Sequence, residues 1–219
     1  YLEKNHNHKH DQLDLVAMYR HLVHDLIHKP GSVSYVRQQD PAGLGHAVWC
    51  ARNMVHDEPV AVLLADDLIL GRSCIAEMVA HYPGGNMVAV MNVATEQTRT
   101  YGIITPGKDD GKLIEIIGLV EKPQPNDAPS NIAVVGRYII EPAVFQNLSN
   151  IQRGTGGEIQ LTDALAQQIG TSTFYGLRFS GERFDCGSKM GFLKANIAFA
   201  MANKNLAPEL QEWIKGRYS

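Results

Sequence analysis

The side chains in this sequence best placed to do chemistry are two adjacent carboxylates, Asp66 and Asp67, that end the apolar run Val60–Ala65. A run apolar at every position reads as a strand covered on both faces, as in a parallel sheet. Open α/β sheets bind ligands beyond the carboxyl ends of their strands. A carboxylate there can hold a metal ion. Glu121 and Lys122 form a second acid–base group, followed by Pro123. Neighbours on a strand point to opposite faces, so the two converge only where the chain bends, as a proline permits. Without such a bend they are an exposed charge pair contributing about 0–1 kcal/mol. A third acid, Asp185, lies in Arg183-Phe184-Asp185-Cys186-Gly187. Cys186 has no histidine nearby in sequence to activate it as a nucleophile. It is read as packing, and Asp185 as the functional residue.

Glycines stand beside these acids. Pro41-Ala42-Gly43-Leu44-Gly45 opens a helix over about His46–Arg52, and free N–H groups at such a start suit an anion or a polar ring edge. The run Gly43-Leu44-Gly45-His46-Ala47-Val48 lacks the third glycine of GxGxxG, which disfavours a nicotinamide enzyme. His46 reads as structural. Gln38, just upstream, carries one donor and one acceptor for the edge of a base, or is simply a turn residue facing water. Gly102 and Gly136 allow close backbone approach to a ligand, although either alone is as readily a bulge. Thr162-Asp163 either caps a helix or shapes a pocket, capping being the default.

These groups need an alternating α/β framework to position them. Asp11–Ile27 has apolar residues at helical spacing, and Pro30-Gly31 ends it. His6, His8 and His10 before it alternate with Asn and Lys and read as a solvated linker, because i, i+2 residues do not share a helical face. Strands are expected at Ser32–Arg37, Val60–Ala65, Asn86–Val93, Thr100–Pro106, Leu113–Glu121, Ile132–Ile140 and Thr173–Phe179. Helices are expected at Cys74–His81, Ala143–Leu148, Glu158–Ile169, Ser188–Ala202 and Pro208–Lys215. The whole reads as one domain over 1–219: a linker and helix to residue 30, a core over 31–203 and a C-terminal helix over 204–219. An exposed apolar face on that last helix suits contacts between copies, so a homo-oligomer is expected.

The composition excludes several classes. A net charge of −3 without blocks of like charge gives no footprint for nucleic acid or an anionic membrane. No apolar run approaches the ~20 residues that span a bilayer. Cys50, Cys74 and Cys186 are odd in number and without CxxC spacing, arguing against a disulfide scaffold or zinc site and for a reducing cytoplasm.

Six stretches in register, GLGHAVWCA, EPVAVLLADD, Val120-Glu121-Lys122-Pro123, APSNIAVVGRY, GGEIQLTDA and FDCGSKMGFLKA, resemble the bacterial UTP–glucose-1-phosphate uridylyltransferases from about Val36 onward. The resemblance implies a Rossmann-like nucleotidyltransferase fold, α/β with a mostly parallel sheet, helices on both faces and an antiparallel extension. It implies UTP and glucose 1-phosphate as substrates, UDP-glucose and pyrophosphate as products, and Mg²⁺ shared by Asp66 and Asp185. In that reading Lys122 neutralises the sugar phosphate and Glu121 holds glucose hydroxyls. Gly102 and Gly136 lie against the sugar, and Gln38, Gly43 and Gly45 line the uracil pocket. One departure stands out. The family's opening strand with its GxGTR-type loop and the following PKxxxP-type stretch have no counterpart, so the chain reads as a fragment starting inside the nucleotide-binding half. The alternatives left open are thymidylyl or cytidylyl transfer, or an inactive sugar-nucleotide-binding homologue.

Overall fold

The computed structural model describes residues 33–150, 154 and 157–218. The helix expected at Asp11–Ile27, the histidines before it and the linker reading lie outside these residues. The chain divides into two compact units, Tyr1–Arg37 and Gln38–Ser219. In the first, the described residues 33–37 form no strand, and Val33, Tyr35 and Val36 are exposed. The expected strand at Ser32–Arg37 is therefore absent in its described part, because β-propensity without a pairing partner does not make a strand.

The second unit is α/β. Its elements run α1 (Leu44–Cys50), a 3₁₀ turn (Arg52–Met54), β1 (Val60–Leu63), β2 (Asp67–Leu70), α2 (Cys74–Ala80) and β3 (Asn86–Asn92). A second 3₁₀ turn (Thr95–Thr100), β4 (Gly102–Asp109), β5 (Leu113–Glu121), β6 (Ile132–Ile140) and α3 (Ala143–Asn150) follow. Then come α4 (Leu161–Ala166), β7 (Phe174–Arg178), β8 (Glu182–Asp185), α5 (Lys189–Ala202) and α6 (Ala207–Tyr218). Six strands form a mixed sheet in the order β1-β6-β3-β7-β5-β4, with β4 also touching β6 at Ile103↔Ala133. Among the described residues β3–β7 is the parallel pair and the other ladders are antiparallel.

Alternation divides the core between the two faces of this sheet. Val88, Val90, Val134, Tyr138 and Ile140 face α1, α3 and α4 through Val48, Val144, Leu148, Leu161 and Leu165. Met87, Ala89, Val135 and Ile139 face the other way, onto Cys74 and Met78 of α2. Both β3 and β6 are covered on each side, which is why their sequences are almost continuously apolar. β1 departs from that expectation. Among the described residues it pairs only with β6, antiparallel, and Ala61 and Leu63 are exposed, so a run apolar throughout is here a strand exposed at alternate positions. At the far edge, Asp110 accepts from Lys112 N–H and Leu113 N–H to close the β4–β5 hairpin, while Asp109 takes a two-point contact from Arg178.

Two departures bear on the site. The helix expected over Glu158–Ile169 shortens to Leu161–Ala166, since the Ile159 backbone is drawn instead into hydrogen bonds with Ala42 O (2.7 Å) and Gly45 N–H (2.9 Å). The ribbon of β2 with β8, pairing Asp67↔Asp185 through Leu70↔Glu182, has no counterpart in the expected strands. Ser188 caps α5 by accepting from Gly191 N–H, yet Ala195 is the one buried residue of that helix, and Phe192, Leu193 and Ile197 are exposed. No helix among the described residues is long and apolar enough to cross a membrane.

Candidate active site

Between β1 and β2 the chain turns through Leu64–Asp67, and the polar groups of Leu64 and Asp67 are tied down. Leu64 N–H donates to Gly136 O (2.9 Å), and Arg137 Nη1 donates to Leu64 O (2.9 Å) and Gly136 O (2.7 Å) while its Nη2 donates to Asp67 O. Asp67 is buried; its Oδ2 accepts from Gly136 N–H (2.7 Å), and its Oδ1 pairs with the Arg183 guanidinium. Arg183 in turn donates to the Tyr101 hydroxyl (2.8 Å). Burial opposes the charge on Arg183, but Asp67 and Tyr101 outweigh it and raise its pKa above the ordinary guanidinium value.

Asp66 is the exposed carboxylate of the turn. Its carbonyl accepts from Cys186 N–H (2.8 Å), which joins it to the residue after Asp185. A Cβ built on Gly187 would lie 3.0 Å from Asp185 Oδ1 and 3.2 Å from Asp66 Oδ2, so the two carboxylates flank one glycine. Residues far apart in sequence thus meet because the ribbon pairs β2 with β8.

A cavity of about 210 Å³ opens beside this pair, and Asp66, Asp185, Gly102, Glu121, Gly136 and Thr162 all contribute to its wall. Glu121 is largely buried, with Oε2 accepting from Thr162 Oγ1 (2.5 Å) and Oε1 3.5 Å from Lys122 Nζ. The bend anticipated at Pro123 occurs one residue earlier. Lys122 has φ +47°, a left-handed conformation unusual for a residue with a side chain, and it returns the ammonium toward Glu121. Strain of about 1–2 kcal/mol is held there by the Lys122 N–H bond to Tyr101 O (2.9 Å) and the flanking ladder. Tyr138 also lines the cavity, and burial, followed by the charges of Glu121 and Asp67, pushes its hydroxyl well above the phenolic range.

The glycines divide by role. A Cβ on Gly102 would come 2.6 Å from Thr162 Cγ2 and 3.3 Å from Glu121 Oε2, so its absence makes room for that contact. A Cβ on Gly136 would fall 2.3 Å from Asp67 Oδ2 and 2.8 Å from Leu64 Cβ. Gly136→Ala must push the acid turn outward, and we expect a loss of roughly 1–3 kcal/mol, read as a lower thermal midpoint. An unchanged midpoint would show that the turn yields freely.

Gln38, Gly43 and Gly45 are not in the cavity wall. Gly43 has φ +104°, and a Cβ on either glycine would lie under 3 Å from Ile159 O, so both permit close packing against the Ile159 segment. The N–H of Gly45 is spent on Ile159 O and is not free for an anion, as the open helix start had suggested. Gln38 Nε2 donates to Gly43 O (3.1 Å) and meets His46 Nδ1 (3.0 Å). Thr162 sits inside the first turn of α4 and binds Glu121, which replaces the capping role expected of it.

Sequence reasoning missed Arg183, Tyr101, Arg137 and Tyr138. The cue for Arg183 was its i, i+2 spacing from Asp185, which puts both on one face of a strand; the others carried no local signal.

Comparison with known proteins places the chain in a family. The chain matches the nucleotidyl transferase family over residues 5–201. It is 46% identical over 182 residues to the UTP–glucose-1-phosphate uridylyltransferase of Komagataeibacter xylinus, covering 82% of this chain and 64% of that protein. Against the enzyme of that name from Bacillus subtilis (strain 168) it is 41% identical over 187 residues, covering 84% and 64%. The crystal structure of a UDP-glucose pyrophosphorylase complexed with UDP-glucose superposes with a TM-score of 0.74 at 40% identity, over 78% of this chain and 66% of that one. A UTP-bound enzyme of that class from Acinetobacter baumannii gives 0.77 at 33% identity, over 97% and 73%. The chain spans just under two thirds of the length of the curated relatives it matches. On its sequence, its mixed α/β sheet and this extent of similarity, the chain belongs to the nucleotidyl transferase family.

Proposed function

We propose that the protein transfers a uridylyl group from UTP to glucose 1-phosphate, giving UDP-glucose and pyrophosphate. One observation carries the reading: a single cavity brings the Asp66–Asp185 pair together with Glu121, an acid held by Thr162 in a wall that mixes polar, aliphatic and aromatic residues. In the reaction a phosphate oxygen of glucose 1-phosphate attacks the α-phosphorus of UTP. The new P–O bond forms as the bond to the β-phosphate bridge breaks, and the electron pair leaves with pyrophosphate. No protein nucleophile is needed, so positioning and charge neutralisation are what the chain supplies.

Asp66 and Asp185 would hold Mg²⁺. Two hard oxygen donors beside one glycine suit an ion that takes few carboxylates and keeps several waters. Bound there, it supplies positive charge to the phosphate oxygens. Lys122 places its ammonium on the sugar phosphate, and Glu121 accepts hydrogen bonds from glucose hydroxyls with Gly102 and Gly136 beneath the ring. Gln38, its Nε2 engaged by Gly43 O and His46, leaves Oε1 as an acceptor for a uracil N–H; Gly43 and Gly45 shape that segment. Exposed Phe192, Leu193, Ile197 and Trp213 on α5 and α6 support self-association into a homo-oligomer. Both substrates are charged metabolites that do not cross membranes unaided, which favours the cytoplasm.

The test is product formation from glucose 1-phosphate with UTP, dTTP and CTP in turn. UDP-glucose is the expected main product; preferential use of dTTP or CTP would reassign the base. A second prediction concerns Thr162. Thr162→Val removes the donor to Glu121 Oε2 and should raise KM for glucose 1-phosphate about 5–10-fold, the scale of one ordinary net hydrogen bond, with KM for UTP unchanged. Thr162→Ser should restore most of it. Equal effects on both substrates would place Thr162 elsewhere.

A further inference from the structure

Asp66, in the turn before β2, and Asp185, at the end of β8, must be held side by side if one ion is to be shared between them. We infer that the buried Asp67–Arg183 pair is the positioning device for Asp66 and Asp185. Asp67 follows Asp66 directly, and Arg183 lies two residues before Asp185 on the same face of β8. Each residue of the pair is therefore rigidly coupled to one carboxylate of the acid pair. Asp67 is opposite Asp185 in the ribbon, and Arg183 is opposite Ile69, so the ion pair runs diagonally across the ladder and opposes a slip in register. Such a slip would turn Asp185 to the other face.

The pair also joins the ribbon to the rest of the site. Asp67 Oδ2 accepts from Gly136 N–H on β6, and Arg183 Nη1 donates to the hydroxyl of Tyr101, whose carbonyl accepts from Lys122 N–H. A guanidinium can serve an acid and a hydroxyl at once because its donors point in several fixed directions, which an ammonium cannot reproduce. Both side chains are nearly buried, at 6% and 10% exposure, so removing one partner leaves a charge unpaired inside the protein. Asp67 and Arg183 also reach the cavity wall, but their polar atoms are engaged by each other, by Gly136 N–H and by the Tyr101 hydroxyl, so in this assignment they act through Asp66 and Asp185.

This inference rests on the proposed metal role of Asp66 and Asp185, and the experiment separates the two. Mn²⁺ is titrated into the protein and free ion is followed by electron paramagnetic resonance. UDP-glucose binding is measured separately in chelator by calorimetry. The wild-type chain should bind Mn²⁺ at a site that Asp66→Asn abolishes. Arg183→Lys, which keeps the charge but loses the fork, should weaken that site about tenfold, the usual effect of disturbing a group that orients a metal ligand. UDP-glucose affinity in chelator should stay within about twofold, since no metal is involved there. Asp67→Asn combined with Arg183→Met should be less damaging to the melting midpoint than either change alone, because neither charge is then left unpaired.

If the wild type has no Mn²⁺ site that depends on Asp66, the metal reading falls and the positioning role falls with it. A wild-type site left intact by Arg183→Lys overturns the positioning role alone. So does a loss of UDP-glucose binding in chelator as large as the loss of Mn²⁺, or failure of all three variants to melt cooperatively, which would make the pair a general stabiliser.

Discussion

We expect Asp66→Asn and Asp185→Asn each to lower turnover by at least ~10²-fold, the usual scale for removing one preorganised electrostatic contact from a transition state. Both changes preserve size and remove only charge. Each side chain has solvent access, so neither should unfold the chain. In the proposed metal role the two would act together, since their oxygens flank Gly187; either alone would leave an ion free to settle elsewhere along a triphosphate. Two consequences follow. The Mg²⁺ concentration giving half-maximal rate should rise in both variants, and KM for glucose 1-phosphate should change little, because Glu121 and Lys122 remain. The double variant should be scarcely worse than either single one, as expected of residues that work as a unit. Rates near wild type for Asp185→Asn across a range of Mg²⁺ would show that the ion is not shared.

The sequence made the acids visible but not the reason they meet. Asp66, Glu121 and Asp185 stood out because carboxylates at strand ends beside glycines are chemically conspicuous, and all three line one cavity. The large strands β3 and β6 were legible from their apolar runs, since burial imposes that composition wherever both faces are covered. The same rule misled at β1, where apolar Ala61 and Leu63 are exposed. Strand exposure depends on which strands flank it, and that is a property of the whole sheet. The ribbon β2–β8 was invisible because Asp67–Leu70 and Glu182–Asp185 are four-residue segments whose pairing is non-local. Local periodicity cannot register a partner more than a hundred positions away. Thr162 shows the same limit, because its choice between capping a helix and binding Glu121 was decided by the β5 strand across the cavity.

Glu121→Gln should raise KM for glucose 1-phosphate by about 10–50-fold and leave KM for UTP within about twofold. A carboxylate accepts from two hydroxyls at once, and its charge roughly doubles the strength of each bond; the amide keeps one acceptor and turns the other into a donor. Thr162 already donates to Oε2, so the amide must either keep its oxygen there and offer NH₂ to the sugar, or reverse and break the Thr162 contact. Either choice forfeits one well-made bond. The change also strips Lys122 of its neighbouring charge, and the ammonium is 42% exposed, so that part of the loss is small compared with the lost sugar contacts. Discrimination should suffer more than rate. A site that hydrogen-bonds specific hydroxyls rejects an epimer because its buried acceptors are left unpaired, and the amide relaxes that penalty. Galactose 1-phosphate should therefore gain relative to glucose 1-phosphate in kcat/KM, measured by competition in one reaction. If the variant instead lost both substrates equally, Glu121 would be holding the cavity together and not reading the sugar, and the sugar would have to lie against a different part of the wall.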